Sequence, residues 1–328
     1  MRARITGWGT ALPRQRLTNL DLEQRVDTSD AWIVERTGIR ERRIAGADET
    51  TASLAIHAGA AAIKHAGLTP GEIDLLIVAT ATPEQPIPHT GAFVGEGLGL
   101  DCGSFDLAAG CAGFVYTLVV GGSLLTSGAL GNALIVGAET LSRVTDPDHR
   151  GTCILFGDGA AAVVLSAGPD DGPGLLAWDL GCDGSATGLL EIPAGGSRRP
   201  TSAETVAAGE HFLKMAGPEV FRRAVRALVD SADLALDRAG VASSEVAWFV
   251  PHQANARIIE AAAGRLNISR ERTVVNIEHY GNTSSASIPL ALAEAADDGR
   301  LRDGDLVLCS GFGAGMTWAS ALVRWGQR

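Results

Sequence analysis

Residues 105–114 read FDLAAGCAGF and join two segments with different hydrophobic patterns. The segment at 103–107 is short and predicts a strand, whereas residues 114–125 are apolar, rich in small side chains, and predict a helix. Cys111 therefore lies at or near a helix N-terminus, where unpaired backbone N–H groups and the helix dipole favour an anion. This position is expected to lower the pKa of the thiol, so we interpret Cys111 as a nucleophile.

Two later segments contain further side chains with catalytic potential. His252, in VPHQAN, follows the apolar run at 246–250, which predicts a buried strand that Pro251 ends. Asn282, in YGNTSSAS, precedes a helical pattern at 286–296. Its position alone slightly favours a turn or helix-capping residue. However, a thiol, an imidazole and a carboxamide can together hold an acyl thioester and stabilise a carbanion beside it.

Composition limits the class of protein. The chain has 328 residues, of which 46% are hydrophobic, so it can bury a large core. Its net charge of −11 argues against nucleic acid as a partner. We find neither an apolar run that predicts a membrane span nor a signal peptide, and the cysteines show no paired spacing, so we expect reduced thiols and a cytoplasmic location. Four cysteines are expected to be inert core side chains: Cys102, Cys153, Cys182 and Cys309.

The chain also contains an internal repeat. HAGLTPGEIDLLIVA at 65–79 aligns with RAGVASSEVAWFVPH at 238–252, and ALIVGA at 133–138 aligns with LVLCSG at 306–311, both 173 positions later. Short apolar strands that alternate with helices predict α/β halves whose sheets are covered on both faces. We divide the chain into an N-terminal half, 1–170, and a C-terminal half, 171–328. The same offset maps Cys111 onto Ser284.

These segments resemble the thiolase superfamily, and within it the ketoacyl-acyl-carrier-protein synthase III family. The markers follow the family order across nearly the whole chain: DAWIVERTGIRERR (30–43), FDLAAGCAGF (105–114), TDPDHRGT (145–152), FGDGAAA (156–162), MAGPEVF (215–221), VPHQANARII (250–259), GNTSSAS (281–287) and GFGAGMTWASALV (311–323). The resemblance implies a thiolase-like α/β fold, in which two duplicated halves are stacked as five layers, αβαβα. It also implies a homodimer.

The resemblance further implies a decarboxylating condensation. Cys111 would take an acyl group from acyl-CoA, with the backbone N–H groups of Cys111 and Gly313 as the oxyanion hole. His252 and Asn282 would bind the malonyl thioester carbonyl and stabilise the enolate that forms as carbon dioxide leaves. No metal or redox cofactor is implied. A neutral amide suits a developing enolate, which an aspartate at position 282 would oppose.

The resemblance also assigns binding residues. Four match the CoA entrance: Trp32, Arg36, Thr37 and Arg150. The physical reason is that an indole and a guanidinium can hold adenine between them, although Trp32 could equally be a core residue. Asn255 matches a residue that faces pantetheine and His252, with a helix cap as the alternative. Three arginines form a basic patch that could dock an acidic acyl carrier protein, or simply a solvated helix face: Arg222, Arg257 and Arg265.

Ile87, in PEQPIPHT (83–90), matches the tip of a loop that crosses the dimer interface in the family and closes the partner's acyl pocket. It is branched and of medium size, which favours a short or branched primer. Side-chain size alone discriminates weakly between primers, because one methylene changes the binding free energy by only about 1–3 kcal/mol.

The leading hypothesis is an enzyme that starts fatty-acid synthesis from acyl-CoA and malonyl-acyl-carrier protein. A polyketide-priming ketosynthase would keep the same three residues, whereas a non-decarboxylating acyltransferase has little use for Asn282. A degradative thiolase needs a second reactive cysteine near the C-terminus, and a silent scaffold subunit typically lacks the nucleophile. GFGAGM at 311–316 lacks the G-x-G-x-x-G spacing of a dinucleotide-binding loop.

Overall fold

Two main β-sheets form the framework of the computed structural model, which describes residues 1–326. The strands are β1 Arg2–Ala11, β2 Gln15–Thr18, β3 Glu41–Ile44, β4 Leu75–Ala79, β5 Gly103–Leu107, β6 Asn132–Thr140, β7 Asp158–Gly168, β8 Gly174–Cys182, β9 Leu190–Glu191, β10 Lys214–Met215, β11 Trp248–Pro251, β12 Leu306–Gly313 and β13 Thr317–Arg324. The helices are α1 Asn19–Glu23, α2 Asp30–Thr37, α3 Thr51–His65, α4 Thr90–Leu98, α5 Gly113–Thr126, α6 Arg150–Cys153, α7 Ala203–Ala207, α8 Gly217–Ala239, α9 Ala256–Arg265, α10 Ile277–Tyr280 and α11 Ser287–Asp297.

The two sheets repeat one strand order. The first runs β1-β7-β6-β4-β5, and the second runs β8-β13-β12-β11. In both sheets the two central neighbours are parallel, β4 with β6 and β11 with β12, while the next strand outward is antiparallel. A parallel bridge from Phe249 to Thr273 occupies the place that β5 takes in the first sheet. The duplication predicted from the 173-residue offset is therefore confirmed by the sheet topology.

The elements stack as five layers. Helices α3 and α4 cover the outer face of the first sheet, α5 and α11 lie between the sheets, and α8 and α9 cover the second sheet. Because both faces of each sheet are covered, its central strands are continuous apolar runs, and every residue of Leu75–Ala79 is buried. The predicted αβαβα arrangement is present.

The two central helices begin at equivalent points. A short 3₁₀ turn, Gly110–Ala112, precedes α5, and another, Ser284–Ala286, precedes α11. The two turns pack against each other at the middle of the molecule. As a result, the thiol of Cys111 lies beside Ser284, its counterpart in the duplication.

No helix within residues 1–326 is long and apolar enough to cross a bilayer. All five cysteines are free thiols, and Cys153 and Cys309 are buried as expected. The expectation of a core position was wrong for Cys182, which is exposed at the end of β8, and Cys102 is only half-buried. The Cys182 thiol donates to the carbonyl of Gly315 at 3.3 Å.

Candidate active site

A cavity of about 300 Å³ lies where the 3₁₀ turns and the carboxyl ends of β11 and β12 meet. Cys111, His252 and Asn282, from three distant segments of the chain, all line it. So do Arg36, Thr37, Asn255 and Gly313, together with apolar side chains: Leu155, Phe156, Leu190, Met215, Val220, Phe221, Ala254, Ile258 and Phe312. The three proposed catalytic residues thus share one pocket with Gly313 of the expected oxyanion hole and with part of the expected CoA-binding set.

Cys111 occupies the 3₁₀ turn directly before α5, as the sequence predicts. The expected lowering of its pKa was wrong, because burial raises the pKa of the thiol to about 12. A hydrogen bond from Ser284 opposes this rise, but removal of the thiol from water outweighs the hydrogen bond. A thiol with this pKa is protonated at neutral pH.

His252 directly follows β11 and is 1% exposed. Its Nδ1 lies 2.7 Å from the hydroxyl oxygen of Ser287, which also accepts the N–H of Gln253 at 3.3 Å. We assign the Ser287 hydrogen to the contact with Nδ1, so Nε2 carries the ring proton and is left to donate toward the pocket. Burial lowers the pKa of His252 to about 3, which keeps the imidazole neutral.

This buried imidazole predicts a pH dependence of stability. An unfolded chain protonates His252 near its ordinary pKa of 6.5, whereas the folded chain keeps it neutral until about 3. Its contribution is thus fully present above pH 6.5 and is lost as the pH falls toward 3. Between about pH 7 and pH 5, we expect the free energy of unfolding to fall by about 2 kcal/mol more in the native chain than in His252→Gln. Urea denaturation at both pH values measures this, and equal losses would contradict it.

Two hydrogen bonds fix Asn282, one made by its backbone N–H and one by its side-chain oxygen. Its N–H donates to Leu155 at 2.8 Å, and its side-chain oxygen accepts the N–H of Ser284 at 2.9 Å. Because the oxygen is engaged, the amide nitrogen is the part of the side chain left for the pocket. A carboxamide held in this way presents a neutral hydrogen-bond donor beside Cys111 and His252.

The end of β12 packs directly on the backbone of Cys111. A Cβ atom at position 313 would lie 2.3 Å from the Cys111 nitrogen, so only glycine permits this approach. The backbones of Cys111 and Gly313 are therefore direct neighbours, and both residues line the pocket. This arrangement is compatible with the oxyanion hole expected from the sequence.

The expected CoA entrance is assembled around Trp32. The guanidinium carbons of Arg150 and Arg36 lie 5.0 and 5.6 Å from the centre of its ring. Trp32 is half-buried, and its indole packs against residues of α2 and α6. Thr37 lines the pocket, but its hydroxyl donates to Ile33 and accepts from Ile39, so it is not available to a ligand.

Asn255 is a helix cap, the alternative that the sequence left open, and it also lies at the pocket. Its side-chain oxygen caps α9 by accepting the N–H of Arg257 at 2.9 Å, and its amide donates to the carbonyl of Arg36, also at 2.9 Å. Asn255 also lines the pocket. Together these two hydrogen bonds link α9 to α2 at the pocket mouth.

Six expected binding residues do not line the pocket: Trp32 and Arg150 of the expected entrance, Ile87, and the arginines Arg222, Arg257 and Arg265. Ile87 is 85% exposed and does not line the cavity of its own chain. Three arginines are exposed on α8 and α9: Arg222, Arg257 and Arg265. Arg222 is paired with Glu219, and the Arg257 guanidinium lies 5.9 Å from the ring of Phe221, which lines the pocket.

Three polar residues of the site were not predicted as such. Ser287 hydrogen-bonds His252, Ser284 lies beside Cys111 and acts to lower its pKa, and Glu139 is a fully buried carboxylate near both turns. One signal existed for Ser284, since the repeat places it opposite Cys111. Another was available for Glu139, because a lone acidic residue ends the apolar strand ALIVGAE.

Comparison with known proteins identifies the family. The sequence pattern of 3-oxoacyl-[acyl-carrier-protein (ACP)] synthase III matches residues 105–184, and the pattern of its C-terminal part matches 236–325. A beta-ketoacyl-[acyl-carrier-protein] synthase III of Roseiflexus castenholzii is 50% identical over 325 residues, which are 98% of each chain. The chain belongs to the beta-ketoacyl-acyl-carrier-protein synthase III family.

Solved structures of this synthase III family share the fold. The enzyme of Pseudomonas aeruginosa PAO1 superimposes with a TM-score of 0.92 at 44% identity, over 99% of this chain and 98% of that one. The enzyme of Aquifex aeolicus VF5 gives 0.91 at 43%, over 98% and 100%. A priming beta-ketosynthase of the R1128 polyketide pathway gives 0.91 at 37%, over 99% and 97%. The thiolase-like fold inferred from the sequence is confirmed.

Proposed function

We propose that this chain condenses an acyl-CoA primer with malonyl-acyl-carrier protein, releasing carbon dioxide and CoA, and so initiates fatty-acid synthesis. The observation that carries the proposal is the convergence of Cys111, His252 and Asn282 in one pocket. The nucleophile is a thiol, and the other two side chains are neutral donors. This combination suits two successive reactions of thioesters at one site, and it needs no metal or redox cofactor.

In the first reaction, the Cys111 sulfur attacks the carbonyl carbon of the acyl-CoA thioester. The N–H groups of Cys111 and Gly313 stabilise the oxyanion of the tetrahedral intermediate. The bond between that carbon and the CoA sulfur then breaks, and CoA leaves as a thiol after taking up a proton. The acyl group remains on Cys111 as a thioester.

In the second reaction, malonyl-acyl-carrier protein occupies the vacated pantetheine path. The neutral imidazole of His252 donates through Nε2, and Asn282 donates through its amide, to the carbonyl oxygen of the malonyl thioester. Loss of carbon dioxide leaves an enolate whose charge these donors stabilise. Its carbon attacks the acyl-Cys111 carbonyl, the C–S bond breaks, and the Cys111 sulfur takes up a proton as the 3-ketoacyl product leaves.

The pocket mouth supports CoA as the acyl donor. The Arg150 guanidinium lies over the ring of Trp32, 5.0 Å from its centre, and an adenine ring that enters by moving the two apart would be held between them. The Arg36 guanidinium lies 5.6 Å from the centre of the same ring and can bind phosphates. Beyond this entrance the walls are mainly apolar, as a pantetheine arm and a short acyl chain require.

The carrier protein would dock on the arginines beside the mouth. Arg257 is the best placed, because it is exposed and stacks over Phe221 of the pocket wall. Arg265 is two helical turns along α9, and Arg222 is partly neutralised by Glu219. An acidic carrier protein would meet this positive rim although the chain as a whole is acidic.

Arg257→Glu is therefore expected to raise KM for malonyl-acyl-carrier protein by about tenfold, since a rim charge that attracted the partner would repel it. Steady-state kinetics with varied carrier protein measures this. Acylation of Cys111 by acetyl-CoA should change much less. The matched control is Arg302→Glu, which makes the same charge change before β12, at the opposite end of the strand from Gly313. Equal effects of both substitutions would contradict docking at Arg257.

The exposed edge of the first sheet is the observation that supports a homodimer. β5 is the last strand of that sheet, and Phe105 on it is 36% exposed. The loop that contains Ile87 is tied to this edge, since His89 hydrogen-bonds Ser104 at 2.9 Å. We propose that β5 pairs with its copy and that Ile87 thereby reaches the partner's acyl pocket. The five free thiols support a reducing, cytoplasmic location.

A panel of acyl-CoA primers tests the proposal and its alternative. We expect 3-ketoacyl-acyl-carrier protein and one carbon dioxide per turnover with short straight or branched primers. The 37% identity with a polyketide-priming ketosynthase favours that function as the second candidate. Preference for a primer that fatty-acid synthesis does not use would support it. Acyl transfer to an alcohol or amine without decarboxylation would contradict both.

A further inference from the structure

Arg42 lies on β3, and its side chain is fully buried, at 0% exposure. Its guanidinium donates to the carbonyl oxygens of Leu17 and Ile154 at 3.1 and 2.8 Å, and to the side-chain oxygen of Asn19 at 3.0 Å. All three acceptors are neutral oxygens, and a buried charge is unfavourable unless such groups surround it. Burial lowers the pKa of Arg42 to about 10, so the group keeps its charge at neutral pH. The reaction steps described above give this buried cation no role.

The segment that Arg42 binds is hydrogen-bonded to the residue that carries the catalytic carboxamide. Ile154, whose carbonyl accepts from the guanidinium, directly follows α6. The next residue, Leu155, accepts the backbone N–H of Asn282 at 2.8 Å, and the N–H of Gly157 donates to the carbonyl of Asn282 at 3.0 Å. The backbone of Asn282 is therefore fixed, on both sides of its peptide unit, to the segment that Arg42 anchors.

The side-chain stem of Arg42 also packs against both partners of this pairing. A Cβ atom at position 157 would lie 3.0 Å from the Cβ of Arg42 and 2.3 Å from the carbonyl oxygen of Tyr280. A Cβ atom at position 281 would lie 3.2 Å from the same Arg42 atom. Gly281 directly precedes Asn282, and its φ is +64°, which favours glycine. Two glycines thus allow one arginine to contact the anchored segment and the Asn282 segment together.

The direction of the Asn282 amide depends on this backbone. Its side-chain oxygen accepts the N–H of Ser284 at 2.9 Å, so the side chain is tied to its own turn and moves with it. Any shift of the Asn282 backbone therefore shifts the amide nitrogen that faces the pocket. In a preorganised site, a misplacement of about 1 Å can cost about 100-fold in rate.

The other two catalytic side chains are held by different elements. Cys111 lies in the 3₁₀ turn before α5, and His252 follows β11 and lies 2.7 Å from the Ser287 hydroxyl. The hydrogen-bond partners of Arg42 lie on β2, on α1 and after α6. Loss of the guanidinium should therefore displace Asn282 while the nucleophile stays in place.

We propose that Arg42 is a positioning residue for the condensation step, which holds the backbone of Asn282 so that its amide donates to the malonyl thioester carbonyl. The inference rests on the proposed function, in which Asn282 acts in the second reaction only. Arg42 itself does not contact the substrate. Its planar fork can bind several separate oxygens at once, whereas a lysine would present a single ammonium group.

A double-mutant cycle tests the proposal, with acylation by acetyl-CoA and discharge by malonyl-acyl-carrier protein followed separately by rapid-quench mass spectrometry. Arg42→Gln should slow discharge by about 10- to 100-fold and change acylation less than about twofold. In an Asn282→Ala background the amide to be positioned is absent. There Arg42→Gln should slow the residual discharge by less than about twofold more, because two residues that act through one interaction are not additive.

Arg43→Gln is the matched control, since Arg43 is the next residue of β3, is half-buried, and donates to the carbonyl of Pro13 at 3.0 Å. It should leave both steps at native rates. If Arg42→Gln fails to fold, Arg42→Lys keeps the charge but not the fork, and it should show the same selective loss of discharge.

A purely structural role of Arg42 would give a different pattern. Equal slowing of acylation and discharge would overturn the proposal, as would an Arg42→Gln effect of the same size with and without the Asn282 amide. Native discharge in Asn282→Ala alone would instead overturn the proposed function of that amide. The failure of the inference and the failure of the proposed function are therefore distinguishable.

Discussion

Cys111→Ala is expected to lower the rate of 3-ketoacyl product formation by at least about 10⁴-fold, and to abolish the acyl adduct on the protein. The thiol is the one group of the pocket that can hold the acyl chain between the two reactions. Alanine is smaller than cysteine and leaves the 3₁₀ turn and α5 intact, so folding should be preserved. Intact-mass spectrometry after incubation with acetyl-CoA measures the adduct, and product assays measure the turnover.

The control for this substitution is Cys182→Ala, which removes a free thiol that is exposed and outside the pocket. It should form the adduct and the product at native rates. Stable acylation of the Cys111→Ala protein, or acylation that Cys182→Ala abolishes, would show that another thiol is the nucleophile.

Asn282→Asp is expected to separate the two reactions. The substitution preserves shape, and an aspartate oxygen can still accept the N–H of Ser284. It nevertheless replaces a donor by a negative charge at the place where the enolate forms. Condensation should fall by about 10²–10³-fold, the usual cost of losing one oxyanion donor, while acyl-Cys111 still forms. Rapid-quench mass spectrometry follows formation of the acyl-enzyme and its discharge separately.

Asn267→Asp provides a charge control, because Asn267 is exposed and remote from the pocket lining. It should leave both steps unchanged. If Asn282→Asp slowed acylation as strongly as discharge, its amide would serve the first oxyanion instead of the enolate. If Asn282→Asp condensed at the native rate, the carboxamide of Asn282 would no longer support a decarboxylating reaction.

The sequence predicts the framework of the site well, because local patterns determine it. The helix expected at 114–125 is observed at Gly113–Thr126, and the strand expected at 246–250 is observed at Trp248–Pro251. The 173-residue offset correctly indicates a repeated sheet. It also places Cys111 opposite Ser284, so the convergence of two helix starts follows from the sequence.

The electrostatics of the site could not be predicted in the same way. A helix start argues for an acidic thiol, but the pKa of Cys111 depends on how completely other segments exclude water from it. Those segments come from β12, α11 and the turn at Ser284, all distant in sequence. The tautomer of His252 likewise depends on Ser287, which the folded chain alone brings within reach.

The sequence predicts several of the binding residues that lie at the pocket. It does not predict which of their polar atoms are free to contact a ligand. Thr37 lines the pocket as expected, yet its hydroxyl is used within its own helix. Asn255 is both a pocket residue and a cap, because its two amide atoms bond different helices. Ile87 does not line the pocket of its own chain, and its expected role in a partner's pocket stays a prediction.

The most direct test of the account is to isolate the acetylated enzyme and add malonyl-acyl-carrier protein in a single turnover. Intact mass then reports the acetyl group on Cys111, and labelled malonyl groups report carbon dioxide. The account predicts that each acetyl group lost from the enzyme gives one carbon dioxide and one 3-ketoacyl-carrier protein. An acetyl-enzyme that survives malonyl-acyl-carrier protein, or that is discharged without carbon dioxide, would contradict it.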